Sequence, residues 1–155
     1  MMGGDNLSDF AIINEVFLIL SRDPTFLDYH NLTVNSPIDD KTKKIQKEME
    51  PIGLALENLP LTCIYPIAGV RSRVNDLIYD AMFEIAIYSN SSSGMKTSTI
   101  KAGTMLIGQR ARELLHEINI GGATLNVEFQ TSFQSPSDIV GIKKYVMRFR
   151  VGEEI

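Results

Sequence analysis

Residues 77–88 read LIYDAMFEIAIY, and the alternation inside this stretch decides the fold. Tyr79, Ala81, Phe83, Ile85 and Ile87 fall on one face, and Asp80, Met82, Glu84, Ala86 and Tyr88 on the other. Side chains along a strand alternate with period two, so this is a strand with one half-buried face and one wetter face. Such strands belong to mainly antiparallel sheets covered on a single side. Two later stretches repeat the pattern. Leu125, Val127, Phe129, Thr131 and Phe133 alternate with Asn126, Glu128, Gln130 and Ser132, and Lys143, Tyr145, Met147, Phe149 and Val151 oppose Lys144, Val146, Arg148 and Arg150. A fourth strand is expected at Leu61–Tyr65, bounded by Pro60 and Pro66 and followed by a loop from Ile67 to Asp76.

Helical spacing surrounds these strands. Phe10, Ile13, Val16, Phe17 and Leu20 form an apolar stripe over residues 7–20. Asp23-Pro24 is a helix start, an N-cap residue followed by proline at the first helical position, and opens a short helix carrying Phe26, Leu27 and Tyr29. Ser98 or Thr99 is expected to cap a second long helix, with Ile100, Ile107, Ala111, Leu114, Leu115 and Ile118 on its stripe and Gly121-Gly122 as its stop. Residues 33–59 read as an extended arm with few anchors, Ile45, Met49 and Ile52. The expectation is a single α+β domain over 1–155. A four-stranded, mainly antiparallel sheet carries two long helices on one face, in the order α-β-β-α-β-β.

Composition narrows the chemistry. The 155 residues carry 15 Lys+Arg against 19 Asp+Glu, a net charge of −4, which disfavours a protein devoted to neutralising phosphates. One cysteine excludes an internal disulfide, a Cys-x-x-Cys pair and a Cys-rich zinc site. Nothing reaches the roughly 18 uninterrupted apolar residues of a membrane span, and residues 1–5 lack the basic start of a secretory leader, so a protein of a reducing compartment is expected. Gly103 and Gly108 have P-loop spacing, but Gln109-Arg110 stand where Lys and Ser/Thr are needed. The simpler reading is two small residues that let a helix approach the sheet. His30 and His116 have no ligand-like spacing and read as half-exposed helix-flank residues. Cys63 reads as a small buried hydrophobe. No catalytic, metal or cofactor set emerges, so an enzyme is not expected.

What stands out is charge segregated by strand. The acidic group is Asp80, Glu84 and Glu128; the basic group is Arg71, Arg73, Lys144, Arg148 and Arg150. A basic strand can track a nucleic-acid backbone, yet no aromatic is interleaved on that face for base stacking. Opposite signs meeting across a sheet or a subunit boundary explain the pattern better. These eight residues are the subunit-interface candidates, with Glu84 and Arg148 a candidate pair.

The helical opening, the short strand at residues 61–66 with its long loop, the extended strand at 79–88, the Ser/Gly loop, the helix containing IGQRARELL (107–115) and two closing strands together resemble the tail terminator or tail-to-head joining (neck) proteins of tailed bacteriophages. The resemblance covers roughly residues 61–151 and part of the first helix. It implies a structural virion protein whose β-β-α-β-β core forms a homo-oligomeric ring, commonly a hexamer. Such a ring terminates the tail tube and meets the head connector or adaptor, with viral DNA passing its lumen without specific binding. It also implies a place in the virion neck, the host cytoplasm during assembly, and no membrane. A nucleic-acid-binding α+β module, or another collar or tail-completion adaptor, is the alternative.

Overall fold

A computed structural model describes residues 9–71, 79–92, 102–120, 125–137 and 139–153. The chain runs α1 (Asp9–Ser21), α2 (Pro24–Tyr29), α3 (Ile38–Lys44), β1 (Ile45–Gln46), a 3-10 turn (Leu56–Asn58), β2 (Leu61–Arg71), β3 (Tyr79–Ser89), α4 (Thr104–Leu115), β4 (Leu125–Ser135) and β5 (Lys143–Glu153). The fold is α+β, as the alternation requires, but the sheet has five strands in the order β1-β2-β3-β5-β4 and the described helices number four. The extra strand is β1, which pairs in parallel with β2 through Ile45–Thr62 and Gln46–Cys63. Two residues are too few to show a period, so β1 is invisible in the sequence.

Phe83, Ile85 and Ile87 on β3, and Met147, Phe149 and Val151 on β5, are buried in the main core with Ile13, Val16, Phe17 and Leu20 of α1 and Ile107 and Ala111 of α4. Phe83 and Phe149, opposite one another in register, stack with ring centroids 5.1 Å apart, and Phe129 meets Phe149 edge-on at 5.6 Å. These offset and edge contacts suit the aromatic quadrupole. Phe129 is only partly buried, being on the last strand of the sheet. The side chain of Tyr79, expected in this core, lies outside the described residues.

Several expectations change. Phe10 is 71% exposed and leaves the α1 stripe, while Ile12 joins it. The sheet is not covered on one side alone: Leu59, Leu61, Cys63, Tyr65, Ala86, Tyr88, Ile142 and Val146 form a second cluster on the opposite face. The supposed arm supplies part of that cover and contributes α3, β1 and the 3-10 turn, with Ile45 fully buried but Met49 and Ile52 exposed. β2 continues through Pro66 to Arg71, where a loop was expected. Beyond the two residues of β1, β2 is an edge strand, and edge strands tolerate proline. A shift of register between Phe129 and Thr131 reverses the parity of β4, so Phe133 pairs with Val146 on the outer face and is 44% exposed.

The start of α4 is Thr104, with Gly103 at the N-cap, rather than Ser98 or Thr99; Ile100 and Gly121-Gly122 lie outside the described residues. The helix ends at Leu115, and Glu117 takes a left-handed φ of 60°. Gly108 does admit the close approach expected of it: a Cβ there would stand 2.9 Å from the Tyr145 ring.

Candidate assembly interface

The outer face of the sheet organises the charges. Tyr65, Glu84, Arg148 and Thr131 form one row across β2, β3, β5 and β4. Arg148 Nε and Nη2 donate to Glu84 Oε2 at 3.0 and 2.7 Å, and the Tyr65 hydroxyl donates to Oε1 at 3.0 Å. Glu84 is buried, so these donors satisfy a carboxylate that burial would otherwise penalise. Burial, followed by the charge of Glu84, raises the Tyr65 hydroxyl well above its ordinary pKa, and the phenol stays a donor. In the next row Arg150 Nη2 donates to Glu128 Oε2 at 2.6 Å. Lys144 Nζ lies 5.6 Å from the centre of the Tyr88 ring.

Four of the eight candidates, Glu84, Glu128, Arg148 and Arg150, therefore come together as two pairs inside one chain. Glu84 and Arg148 pair as register neighbours within the chain. Arg71 and Asp80 lie on β2 and β3 with side chains outside the description, and Arg73 lies outside the described residues.

The helix face carries what sequence reasoning missed. Asp23 caps α2 by accepting from Phe26 N–H at 2.8 Å, and it also takes Arg110 of α4 through Nε at 2.9 Å and Nη2 at 2.6 Å. The Arg110 hydrogen bond, outweighing burial, holds the Asp23 carboxyl below its ordinary pKa. His30 is fully buried, not half-exposed: Nδ1 meets the Phe26 carbonyl at 2.8 Å and Nε2 the Thr62 hydroxyl at 2.7 Å. It pins α2 to β2 as a structural residue. His116 is exposed at the end of α4. Cys63 is buried as expected, and burial pushes its thiol up to about 12, which keeps it unreactive. Among the described residues no group of three or more His, Cys, Asp or Glu is placed to hold a metal, and no helix is long and apolar enough to cross a membrane.

Between α4 and the β4–β5 edge lies an open cleft of about 340 Å³, lined by Met105, Gly108, Arg112, Phe129, Tyr145 and Met147 among others. Arg112 lies over the Phe129 ring, its guanidinium carbon 4.0 Å from the centroid, and among the described residues it pairs with no carboxylate. The Tyr145 hydroxyl and Ser132 Oγ are 2.5 Å apart beneath it.

The architecture is thus a five-stranded mixed sheet with α1 and α4 packed on one face and a paired polar row on the other. The same fold occurs in a solved structure titled "Virion of native gene transfer agent (GTA) particle", where one chain matches with a TM-score of 0.57 at 12% identity, over 94% of this chain and 96% of that one. No protein-family model matches the chain, and no curated protein matches it in sequence.

Proposed function

We propose that this chain is a structural protein of a phage-like virion, and that it forms a ring at the neck that terminates the tail tube and joins it to the head connector. The observation that carries the reading is the shared fold with a chain of a gene transfer agent virion, over nearly the full length of both. The order of elements that resembles phage tail terminators supports the same reading, with a hexamer as the expected ring. The part is structural rather than catalytic, and its neighbours are copies of itself, a tail tube protein and a connector. The outer-face arginines are spent on Glu84 and Glu128, which weighs against a nucleic-acid-binding module.

Native mass measurement of the purified protein tests the ring, with a closed oligomer of defined stoichiometry expected. Cryo-electron microscopy of particles from a producing host tests its place, with density for this chain expected between tail tube and portal. A protein that stays monomeric at all concentrations, or density elsewhere in the particle, overturns the reading.

A further inference from the structure

We propose that copies of this chain associate head to tail, the Lys47–Ile52 loop beside β1 of one copy seating on the β4 edge of the next. The inference rests on the ring reading and gives it a contact.

The receiving side is an unfinished sheet edge. Glu117 N–H donates to the Val127 carbonyl and Val127 N–H to the Ile118 carbonyl, so the edge of β4 is closed at Val127. From Phe129 to Ser135 no described residue pairs with its outer side. That stretch, FQTSFQS, has neither charge nor proline, and only its bulge interrupts it. Open edges of this kind accept a further extended segment through main-chain hydrogen bonds, while adjoining pockets take alternate side chains. The adjoining pocket here is the cleft under α4, whose one charged lining residue is Arg112. The segment that fits supplies a flexible apolar side chain flanked by carboxylates.

The chain itself offers such side chains at the opposite edge of the sheet, on a bent loop whose Ile52 amide and carbonyl are held by Gln46, so it seats on the edge through side chains rather than as an added strand. Glu48-Met49-Glu50 follows β1, all three residues are exposed, and Met49 is 55% exposed. β1 and β4 are the two ends of the strand order, so joining them uses different surfaces of each copy. Such heterologous contacts close into rings when the rotation between copies allows. Met49, unbranched and adaptable, enters the Met105–Tyr145 cleft, and Glu48 or Glu50 reaches Arg112, a cation that lines this cleft and pairs with no carboxylate among the described residues. Neither end of this contact uses the Glu84–Arg148 row.

Two measurements test it on the full chain. First, Met49→Cys and Met105→Cys are prepared separately and mixed under mild oxidation. Both positions are exposed, and the native Cys63 is buried. A cross-linked dimer in the mixture, absent from either variant alone, is expected. Second, Arg112→Glu and the pair Glu48→Arg/Glu50→Arg are each expected to raise the concentration needed for assembly about tenfold or more, as like charges are brought together. Combining all three substitutions in one chain should recover most of it. If the unmodified protein assembles while the mixture stays uncross-linked and the charge variants assemble normally, this contact is wrong and the ring reading survives. If the unmodified protein never assembles, both fall.

Discussion

Phe83 lies on the face of β3 that strand alternation turns toward the core. It is 1% accessible, stacked on Phe149 and enclosed by the helices of the main core. Phe83→Ala should cost about 3–5 kcal/mol in denaturant unfolding, the range for emptying an aromatic core site. A loss below about 1 kcal/mol would be that of a surface position. Asp23 makes a different kind of test, because its carboxylate serves both the α2 cap and Arg110. Asp23→Ala should cost about 1–2 kcal/mol near neutral pH, the scale of a lost cap and its charged partner. The folded pKa is depressed, so the contribution is complete above the unfolded value near 4 and is lost as pH falls through the lowered folded value. The gap between wild type and Asp23→Ala should therefore narrow in acid. A gap that widens on acidification would mean the carboxylate does not carry the effect.

Elements show what could be read in the sequence and what could not. Phe83, Ile85 and Ile87 announced β3 because a strand with one solid face repeats every second residue. The Asp23-Pro24 start announced α2 because cap and proline chemistry is local. The bulge at Gln130 is not legible: an extra residue in one strand changes parity without changing composition, so the alternation places Phe133 on the inner face. Nor were His30 and Arg110, whose partners Thr62 and Asp23 lie 32 and 87 residues away. The polar row was half legible. Strand position suggested Glu84 with Arg148, but only register shows that they share a chain.

Two elements carry predictions of their own. In α4, Gly108→Ala places a Cβ against the Tyr145 ring, which is itself tied to Ser132, so α4 must lift or the ring must yield. A loss of about 1–3 kcal/mol is expected, as for an overpacked core, and it should shrink in a Tyr145→Ala background. Equal losses in both backgrounds would remove Tyr145 as the cause. Beside β1, the Gln46 side chain donates to the Lys43 and Ile52 carbonyls and accepts from Ile52 N–H at 2.8 Å. Gln46→Ala should speed hydrogen exchange at the Ile52 amide about tenfold, the equivalent of one ordinary hydrogen bond. An unchanged rate would show that the backbone alone sets this loop.

At the scale of the whole molecule, the sheet separates holding the chain together from joining chains. Arg148 and Glu84 sit in the middle of the strand order, on β5 and β3, while the open β4 edge and the Glu48-Met49-Glu50 loop sit at its ends. Substitutions in the two regions should therefore fail differently. Arg148→Glu leaves the buried Glu84 carboxylate facing a like charge and without its two arginine donors. Arg148 is 41% exposed on its side chain, so water relieves part of the penalty, and a loss of about 1–3 kcal/mol is expected, below that of a fully buried pair. The swap Arg148→Glu/Glu84→Arg should recover some of that loss, limited by the Tyr65 hydroxyl, which donates to the native carboxylate. The measurement is urea unfolding of the dissociated protein, with assembly followed by native mass at a temperature where each variant is folded. Arg148→Glu should lower the unfolding midpoint yet assemble once folded; Arg112→Glu should lower the midpoint less, since Arg112 is exposed and contributes only its cover of Phe129, yet fail to assemble. If Arg148→Glu folds with undiminished stability but cannot assemble, the polar row belongs to the contact between subunits and not to the sheet.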